Sequence, residues 1–220
     1  MKKYWWKILT IILIIYTLIQ GFLGTTPSLP ILNETIRNLY FHVTIWFSMV
    51  ILLFFSMIYS IKYLGNFNLK NDLIANECVN TGVFLGLLGI LTGMLWANFT
   101  WGKPWVNDPK LNGAAITMLV YLAYIVLRSS ISDNEKTARI SAIYNIFAFS
   151  MMLVFIFVLP RLTDSLHPGN GGNPAFSQYD LDNNMRAVFY PAVIGWTLLG
   201  FWITQIRIRI KQIKNQLNNE

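Results

Sequence analysis

The sequence is poor in charge, cysteine and histidine. Charged residues make up 12% of the 220 positions and hydrophobic residues 55%, whereas soluble domains carry about 25% charged residues. The single cysteine, Cys78, excludes an intramolecular disulfide, a CxxC redox pair and a cluster held by several thiolates. There are two histidines in all. This composition predicts a membrane protein with few side chains available for chemistry.

The hydrophobic residues fall into six windows without charge, each close to the ~20 residues that a helix needs to cross a bilayer. The first window is too long for the apolar region of a cleaved signal peptide, so we expect it to be an anchor. The pattern predicts an all-α, polytopic membrane protein in which six transmembrane helices form a single domain over residues 1–220. The windows are Ile8–Asn33, Asn38–Ile61, Cys78–Gly102, Leu111–Leu127, Ile140–Pro160 and Ala187–Ile206.

The basic residues predict how these spans are oriented. Twelve of the 17 Lys and Arg residues fall on one predicted side and five on the other. Cytoplasmic loops carry the excess of Lys and Arg, so we expect both termini to be cytoplasmic, in the cell's inner membrane. The net charge of +7 then reflects topology and does not indicate nucleic-acid binding. The predicted outer loops are at about residues 25–37, 98–110 and 161–186.

Both histidines, His42 and His167, lie on the predicted outer side, and a tryptophan-rich loop containing Trp101 and Trp105 lies between them in sequence. Imidazoles, aromatic walls and a few cations suit a flat, apolar, dianionic ligand such as haem. Tryptophans also serve as plain anchors at membrane interfaces, and a histidine at a helix end often only makes interfacial hydrogen bonds. The residue pattern alone leaves both interpretations open.

Three short motifs carry a resemblance to a known family. "WGKPWVNDPKL", residues 101–111, resembles the tryptophan-rich signature of the CcmC/CcsA family, the haem-handling proteins of cytochrome c maturation. "RNLYFHV", residues 37–43, and "LHPG", residues 166–169, resemble the sequences around that family's two outer histidines. The size and the number of spans resemble the CcmC branch, although the letters "AN" before the tryptophan signature and "DPK" at its end are similar to CcsA.

The resemblance implies a role for each matched residue. His42 and His167 would be axial ligands of haem iron, approaching from opposite faces. Trp101 and Trp105 would form the apolar seat of the macrocycle in the loop. Replacement of a family tryptophan by Asn107 removes one stacking surface and leaves the two ligands intact.

The polar residues of the motifs are given supporting roles. Arg37 and Lys110 would pair with the haem propionates, and Tyr40 would stack on haem or support a ligand. The family usually has arginine where Lys110 stands, and an ammonium cannot fork onto a carboxylate. Asp108 would orient the loop, by pairing with Lys110 or by capping the next helix, because a carboxylate would repel the propionates.

The resemblance therefore implies a carrier that binds haem b at the outer face and delivers it to a periplasmic haem chaperone similar to CcmE. Without a CxxCH motif the haem would be non-covalent. Family members also associate with ABC-type maturation subunits and a small membrane peptide.

The residues show no nucleophile or acid–base pair, which favours a carrier and leaves enzyme status open. Two alternatives remain: a CcsA-like component of a cytochrome c synthase, or a b-type electron-transfer subunit. Both normally have histidines within their spans.

Overall fold

The computed structural model describes residues 4–29, 32–167 and 181–217, which are helical and contain no strand. A 3-10 helix precedes the second α-helix. A π-helical turn, Val154–Val158, connects the fifth α-helix to a short sixth α-helix. In chain order the elements are α1 (Trp5–Leu23), the 3-10 helix (Asn33–Tyr40), α2 (His42–Asn66), α3 (Leu69–Trp101), α4 (Pro109–Ser129), α5 (Asn134–Leu153), α6 (Leu159–Leu162) and α7 (Asn183–Leu217).

Six helical segments are long and apolar enough to cross a membrane, which confirms the predicted all-α membrane fold. Two of them are composite: the 3-10 helix continues into α2 over Asn33–Asn66, and α5, the π turn and α6 run together over Asn134–Leu162. The chain is thus a multi-pass membrane protein.

Five of the six helical segments are longer than their charge-free windows, whereas α1 ends at Leu23, well before the predicted end of the first window at Asn33. α3 begins at Leu69, well before Cys78, and carries Asp72 and Glu77 inside the bundle. These carboxylates are buried because they are paired: Arg128 of α4 makes a two-pronged ion pair with Asp72, and Arg207 of α7 donates to Glu77 at 2.7 Å. Pairing offsets the cost of burying a charge, so a charge in the sequence does not mark the end of the helix here.

The predicted outer loops are correspondingly shorter. α3 runs to Trp101 and α4 begins at Pro109, so the second loop comprises residues 102–108. The first predicted loop ends in the 3-10 helix, and the third is limited by α6 and by the start of α7. Residues 168–180 of the third loop lie outside the described residues.

α2 lies at the centre of the bundle, where it packs against α3, α5 and α7. A row of glycines on α3 allows the close contact between α2 and α3. A Cβ atom on Gly82 would lie 2.9 Å from Leu53 Cδ2, and one on Gly86 would overlap the sulfur atoms of Met118 and Met49. Small residues let membrane helices approach closely, and this row brings the end of α3 against the start of α2.

The π turn shapes the end of α5. Its Phe155 carbonyl lies so close to Gly113 of α4 that any side chain there would overlap it. π turns are often found at functional sites, and here Ile156 and Phe157 of the turn, followed by Pro160 and Arg161, line a cavity between the helices.

Candidate functional site

The cavity lies at the end of the bundle where α2 begins and α3 ends. Its volume of about 440 Å³ is within the 300–1,000 Å³ usual for small-molecule and cofactor sites. Most of its wall is apolar, but it brings together both histidines of the chain, four tryptophans and two cations. These residues are His42, His167, Trp46, Trp96, Trp101, Trp105, Lys110 and Arg161.

His42 is the first residue of α2, and its ring is held by the end of α3. Its Nδ1 atom lies 3.1 Å from the hydroxyl oxygen of Thr92. That hydroxyl is placed to donate its own proton to the carbonyls of Leu88, at 2.9 Å, and Gly89, at 3.1 Å. This arrangement favours the tautomer in which Nδ1–H of His42 donates to the hydroxyl oxygen and Nε2 keeps its lone pair.

Glycine on α3 makes room for this ring. A Cβ atom on Gly93 would lie 2.7 Å from Cε1 of His42, and one on Gly89 would lie 2.8 Å from the indole of Trp46. Real Cβ atoms essentially never come so close to another heavy atom. The glycine row therefore continues from the packed core into the site, where it admits an imidazole and an indole.

His167 is held in the same way by a carboxylate. Its Nδ1 atom lies 3.0 Å from Oδ1 of Asp108, and the edge of its ring meets Trp101, with the ring centroids 5.0 Å apart and the planes at 75°. A carboxylate accepts a hydrogen bond from Nδ1–H, so Nε2 of His167, like that of His42, keeps the lone pair that could bind a metal. This carboxylate–histidine pairing is the usual support for an imidazole that binds a metal.

Asp108 is 2% exposed and connects two parts of the site. Oδ1 caps α4 by accepting from the backbone N–H groups of Lys110, at 2.9 Å, and Leu111, at 3.3 Å. Oδ2 accepts from the Ser165 hydroxyl at 2.9 Å and the Leu166 N–H at 2.7 Å. The structure thus shows the helix cap that the sequence predicts, and it adds the bond to His167.

The same hydrogen bonds keep the Asp108 carboxylate ionised. Burial by itself raises its pKa, but the hydrogen bonds from His167, the Leu166 N–H and Ser165 outweigh burial and hold the pKa of Asp108 well below its usual range. The site therefore contains a fixed negative charge behind His167, on the side of the ring away from Nε2.

The tryptophans surround the imidazoles. Trp46 and Trp96 each meet the His42 ring edge to face, with centroids 6.4 Å and 5.9 Å away. Trp96 is itself fixed by a hydrogen bond from Nε1 to the Thr35 hydroxyl at 3.2 Å. Trp105 is 37% exposed and is the exposed one of the four tryptophans that line the cavity.

Two of the residues singled out from the motifs lie away from the cavity. Arg37 donates from Nη1 to the Gly21 and Gly24 carbonyls, at 3.2 Å and 2.7 Å, and from Nε to Glu34 at 2.5 Å. It thereby ties the end of α1 to the 3-10 helix. Tyr40 is fully buried behind the cavity wall, in an apolar cluster with Met185, Val188, Phe189 and the cavity-lining residues Ile36, Leu39 and Leu181. Neither lines the cavity within the described residues.

Lys110 and Arg161 both line the cavity. The second cation of the site is therefore Arg161 and not Arg37, which the sequence had suggested. Sequence reasoning missed Arg161, Thr92 and Trp46 as site residues. The glycine row on α3 could have indicated Thr92 and Trp46 from the sequence, because it marks the face of α3 that packs against α2. No sequence pattern indicated Arg161, which lies just after the π turn.

The residues that line the cavity fit a flat ligand with a metal centre and anionic substituents. For such a ligand, the two imidazole Nε2 atoms would be the metal ligands, the four indoles would supply apolar and stacking surface, and the two cations would pair with carboxylates. No Asp or Glu is among the described residues that line the cavity. The described residues also include no group of three His, Cys, Asp or Glu side chains suited to a bare metal ion. Iron porphyrin fits this donor set.

Comparison with known proteins agrees with the motifs. The family model described as CcmC, heme exporter protein C, matches residues 2–220. Heme exporter protein C of Paracoccus denitrificans is 22% identical over 201 residues, which cover 91% of this chain and 80% of that protein. The Escherichia coli K12 protein of the same name is 23% identical, covering 93% and 81%. Cytochrome c biogenesis protein CcsA of Thermosynechococcus vestitus is 33% identical over 44% of this chain and 29% of its own length. Because the family model covers nearly the whole sequence, the chain belongs to the CcmC, or heme exporter protein C, family.

Proposed function

We propose that this protein carries non-covalent haem b in the cavity and hands it on during cytochrome c maturation. The observation that carries the proposal is the matched support of the two histidines. Each ring has its Nδ1 atom hydrogen-bonded to an acceptor, Thr92 for His42 and Asp108 for His167, and both residues line one cavity. Two imidazoles fixed with Nε2 free are the ligands that a six-coordinate haem iron needs.

The remaining wall of the cavity suits the rest of the haem molecule. Trp101 and Trp105 contribute apolar surface for the macrocycle, together with Trp46 and Trp96. We assign Lys110 and Arg161, the two cations that line the cavity, to the propionates, because charge-assisted hydrogen bonds to carboxylates are among the stronger polar contacts. In this proposal Arg37 and Tyr40 support the site indirectly, since Arg37 holds the 3-10 helix that precedes His42.

Delivery requires that part of the cargo be reachable by a partner. We infer that one edge of the bound haem lies near Trp105, because this residue both lines the cavity and is exposed. We infer that a periplasmic haem chaperone similar to CcmE receives the haem here, with ABC-type maturation subunits and a small membrane peptide as further partners. The relatives' names, heme exporter protein C and cytochrome c biogenesis protein, support this setting. The cavity would then face outward from the inner membrane.

A component of a cytochrome c synthase is the second candidate, and the similarity to CcsA over 44% of the chain favours it. The histidine count opposes it, because this chain has two histidines and both line the cavity. No histidine is left to hold a second haem within the spans. The same count opposes a b-type electron-transfer subunit, which would hold haem between histidines of two spans.

Haem delivery can be tested in a host that lacks its own heme exporter protein C but retains the chaperone. Expression of this chain should restore covalent haem on the chaperone, detected by haem peroxidase staining, and should restore c-type cytochromes. The His42→Gly and His167→Gly variants should fail in both. Cytochrome c formation without haem on the chaperone would contradict the delivery role and favour the synthase.

A further inference from the structure

The end of α7 extends beyond the membrane on the side opposite the cavity. α7 has 35 residues, which at 1.5 Å per residue span ~52 Å, compared with ~30 Å for the hydrocarbon core. Its apolar stretch ends near Ile206 and is followed by four cations, Arg207, Arg209, Lys211 and Lys214. The helix continues without a break to Leu217, and every residue from 209 to 217 is exposed.

This projecting segment carries an apolar row with the spacing of a coiled coil. Ile206, Ile210, Ile213 and Leu217 follow one another at intervals of four, three and four residues, which is the a/d pattern of a heptad repeat. They are 45%, 60%, 56% and 65% exposed. Because α7 continues without a break to Leu217, a path straight out of the bilayer would carry this row away from the lipid.

The flanking charges indicate what kind of helix would cover the row. With Ile210 and Leu217 at a positions, Arg209 occupies a g position and Lys214 an e position, where a partner helix meets them. Arg207, also at an e position, is already paired with Glu77. A second copy of this chain would place like charges together in a parallel pair, which is unfavourable. Acidic residues at the partner's e and g positions would complement them.

We propose that residues 206–217 form a docking helix for an acidic amphipathic helix of a partner protein. The partner helix presents an apolar a/d row with Glu or Asp beside it, and it binds at the end of the bundle opposite the cavity. This inference rests on the register and charge of α7 and does not depend on haem binding.

A pair of designed peptides tests the proposal on the full-length protein in nanodiscs of zwitterionic lipid. One three-heptad peptide has Leu at a and d and Glu at e and g; the other differs by having Lys at e and g. Fluorescence anisotropy should show the Glu peptide binding at least about tenfold more tightly than the Lys peptide, with the difference shrinking as salt is raised. Equal binding of the two peptides, or no binding of either, would overturn the proposal.

Three variants keep the test specific. Ile210→Asn combined with Ile213→Asn should abolish binding, whereas Asn215→Ala, on the opposite face, should leave it unchanged. Arg209→Glu combined with Lys214→Glu should reverse the preference to the Lys peptide. All three retain α7 within the membrane, so the nanodisc preparations should be equally helical. A preference that persists after the charge reversal would exclude e/g pairing.

The same nanodisc preparation distinguishes two other ways in which the apolar row could be covered: by the membrane surface or by a second copy of the chain. An environment-sensitive label on Ile213→Cys should report a watery surrounding in both zwitterionic and anionic nanodiscs until the Glu peptide is added. A blue shift with anionic lipid alone would assign the row to the membrane surface. Dimers lost on Ile210→Asn would assign it to a second copy. Either result overturns the proposal.

Discussion

Nδ1 of His167 is hydrogen-bonded at 3.0 Å to Oδ1 of Asp108, a carboxylate that also caps α4 and binds the Ser165 hydroxyl and the Leu166 N–H. One buried charge therefore sets both the start of a membrane helix and the orientation of an imidazole in the next loop. His42 has a neutral counterpart in Thr92. The two rings of the site are thus supported unequally, one by a charge and one by a hydroxyl.

The unequal support predicts unequal effects of removing it. Asp108→Asn retains a side-chain oxygen able to cap α4 but removes the negative charge behind His167. Because supporting partners of metal-bound histidines typically contribute about 10–100-fold in affinity, haem should leave this variant faster by about that factor. Thr92→Val should cause a smaller increase. Haem transfer to apomyoglobin measures both rates, and a larger effect of Thr92→Val would contradict the assignment.

Gly93 is predicted to be required by the site, while Gly82 is required by the core. A methyl group on Gly93 would lie 2.7 Å from Cε1 of His42, and one on Gly82 would lie 2.9 Å from Leu53 Cδ2. Gly93→Ala should therefore displace the imidazole and lower the haem content of the purified protein. Gly82→Ala should lower the melting temperature and leave the haem spectrum intact. Equal haem content in the two variants would show that the row serves packing alone.

The roles of the cations can be tested by comparing the binding of haem with the binding of haem dimethyl ester, in which the propionates carry no charge. Lys110→Ala and Arg161→Ala should each weaken binding of haem, by about 1–3 kcal/mol for a charge-assisted hydrogen bond, but should leave binding of haem dimethyl ester unchanged. Lys103→Ala, at an exposed residue of the loop that precedes α4, is the matched control. Arg37→Ala should lower thermal stability, because it releases the end of α1, and should affect both ligands alike. Selective loss of free haem in Arg37→Ala would restore that residue as a propionate partner.

Topology is tested independently of haem. Reporter fusions at Asn71 and Glu220 should score cytoplasmic, and a fusion at Gly171 should score external, because the excess of Lys and Arg lies with the first two. An external score at Glu220 would place the cavity on the cytoplasmic side and would exclude delivery to a periplasmic chaperone.

Much of this architecture could be predicted from the sequence. The six spans follow from the charge-free windows, and the two histidines and the loop tryptophans follow from the motifs, since short-range patterns record both. The start of α3 could not be predicted, because Asp72 and Glu77 are buried only through their partners Arg128 and Arg207, which are distant in sequence. Such pairing depends on which helices become neighbours.

The supporting residues were equally hidden. Arg37 and Tyr40 stand in a family motif beside His42, yet in the 3-10 helix Arg37 donates to carbonyls at the end of α1 and Tyr40 is buried behind the cavity wall. Arg161 lines the cavity from α6, which follows the π turn at the end of α5. Proximity in a motif does not fix the direction of a side chain when the local helix type changes.

The central claim is that His42 and His167 bind haem iron, and the absorption spectrum of purified variants tests it most directly. The parent protein should show a six-coordinate b-type spectrum whose haem is fully extracted by acid acetone. His42→Gly and His167→Gly should each alter that spectrum, and added imidazole should partly restore it by filling the space left. Trp105→Ala should hold haem less firmly, because aromatic stacking contributes on the order of 1–3 kcal/mol, while keeping a six-coordinate spectrum. If both histidine variants retain the parental spectrum, the ligand assignment is contradicted.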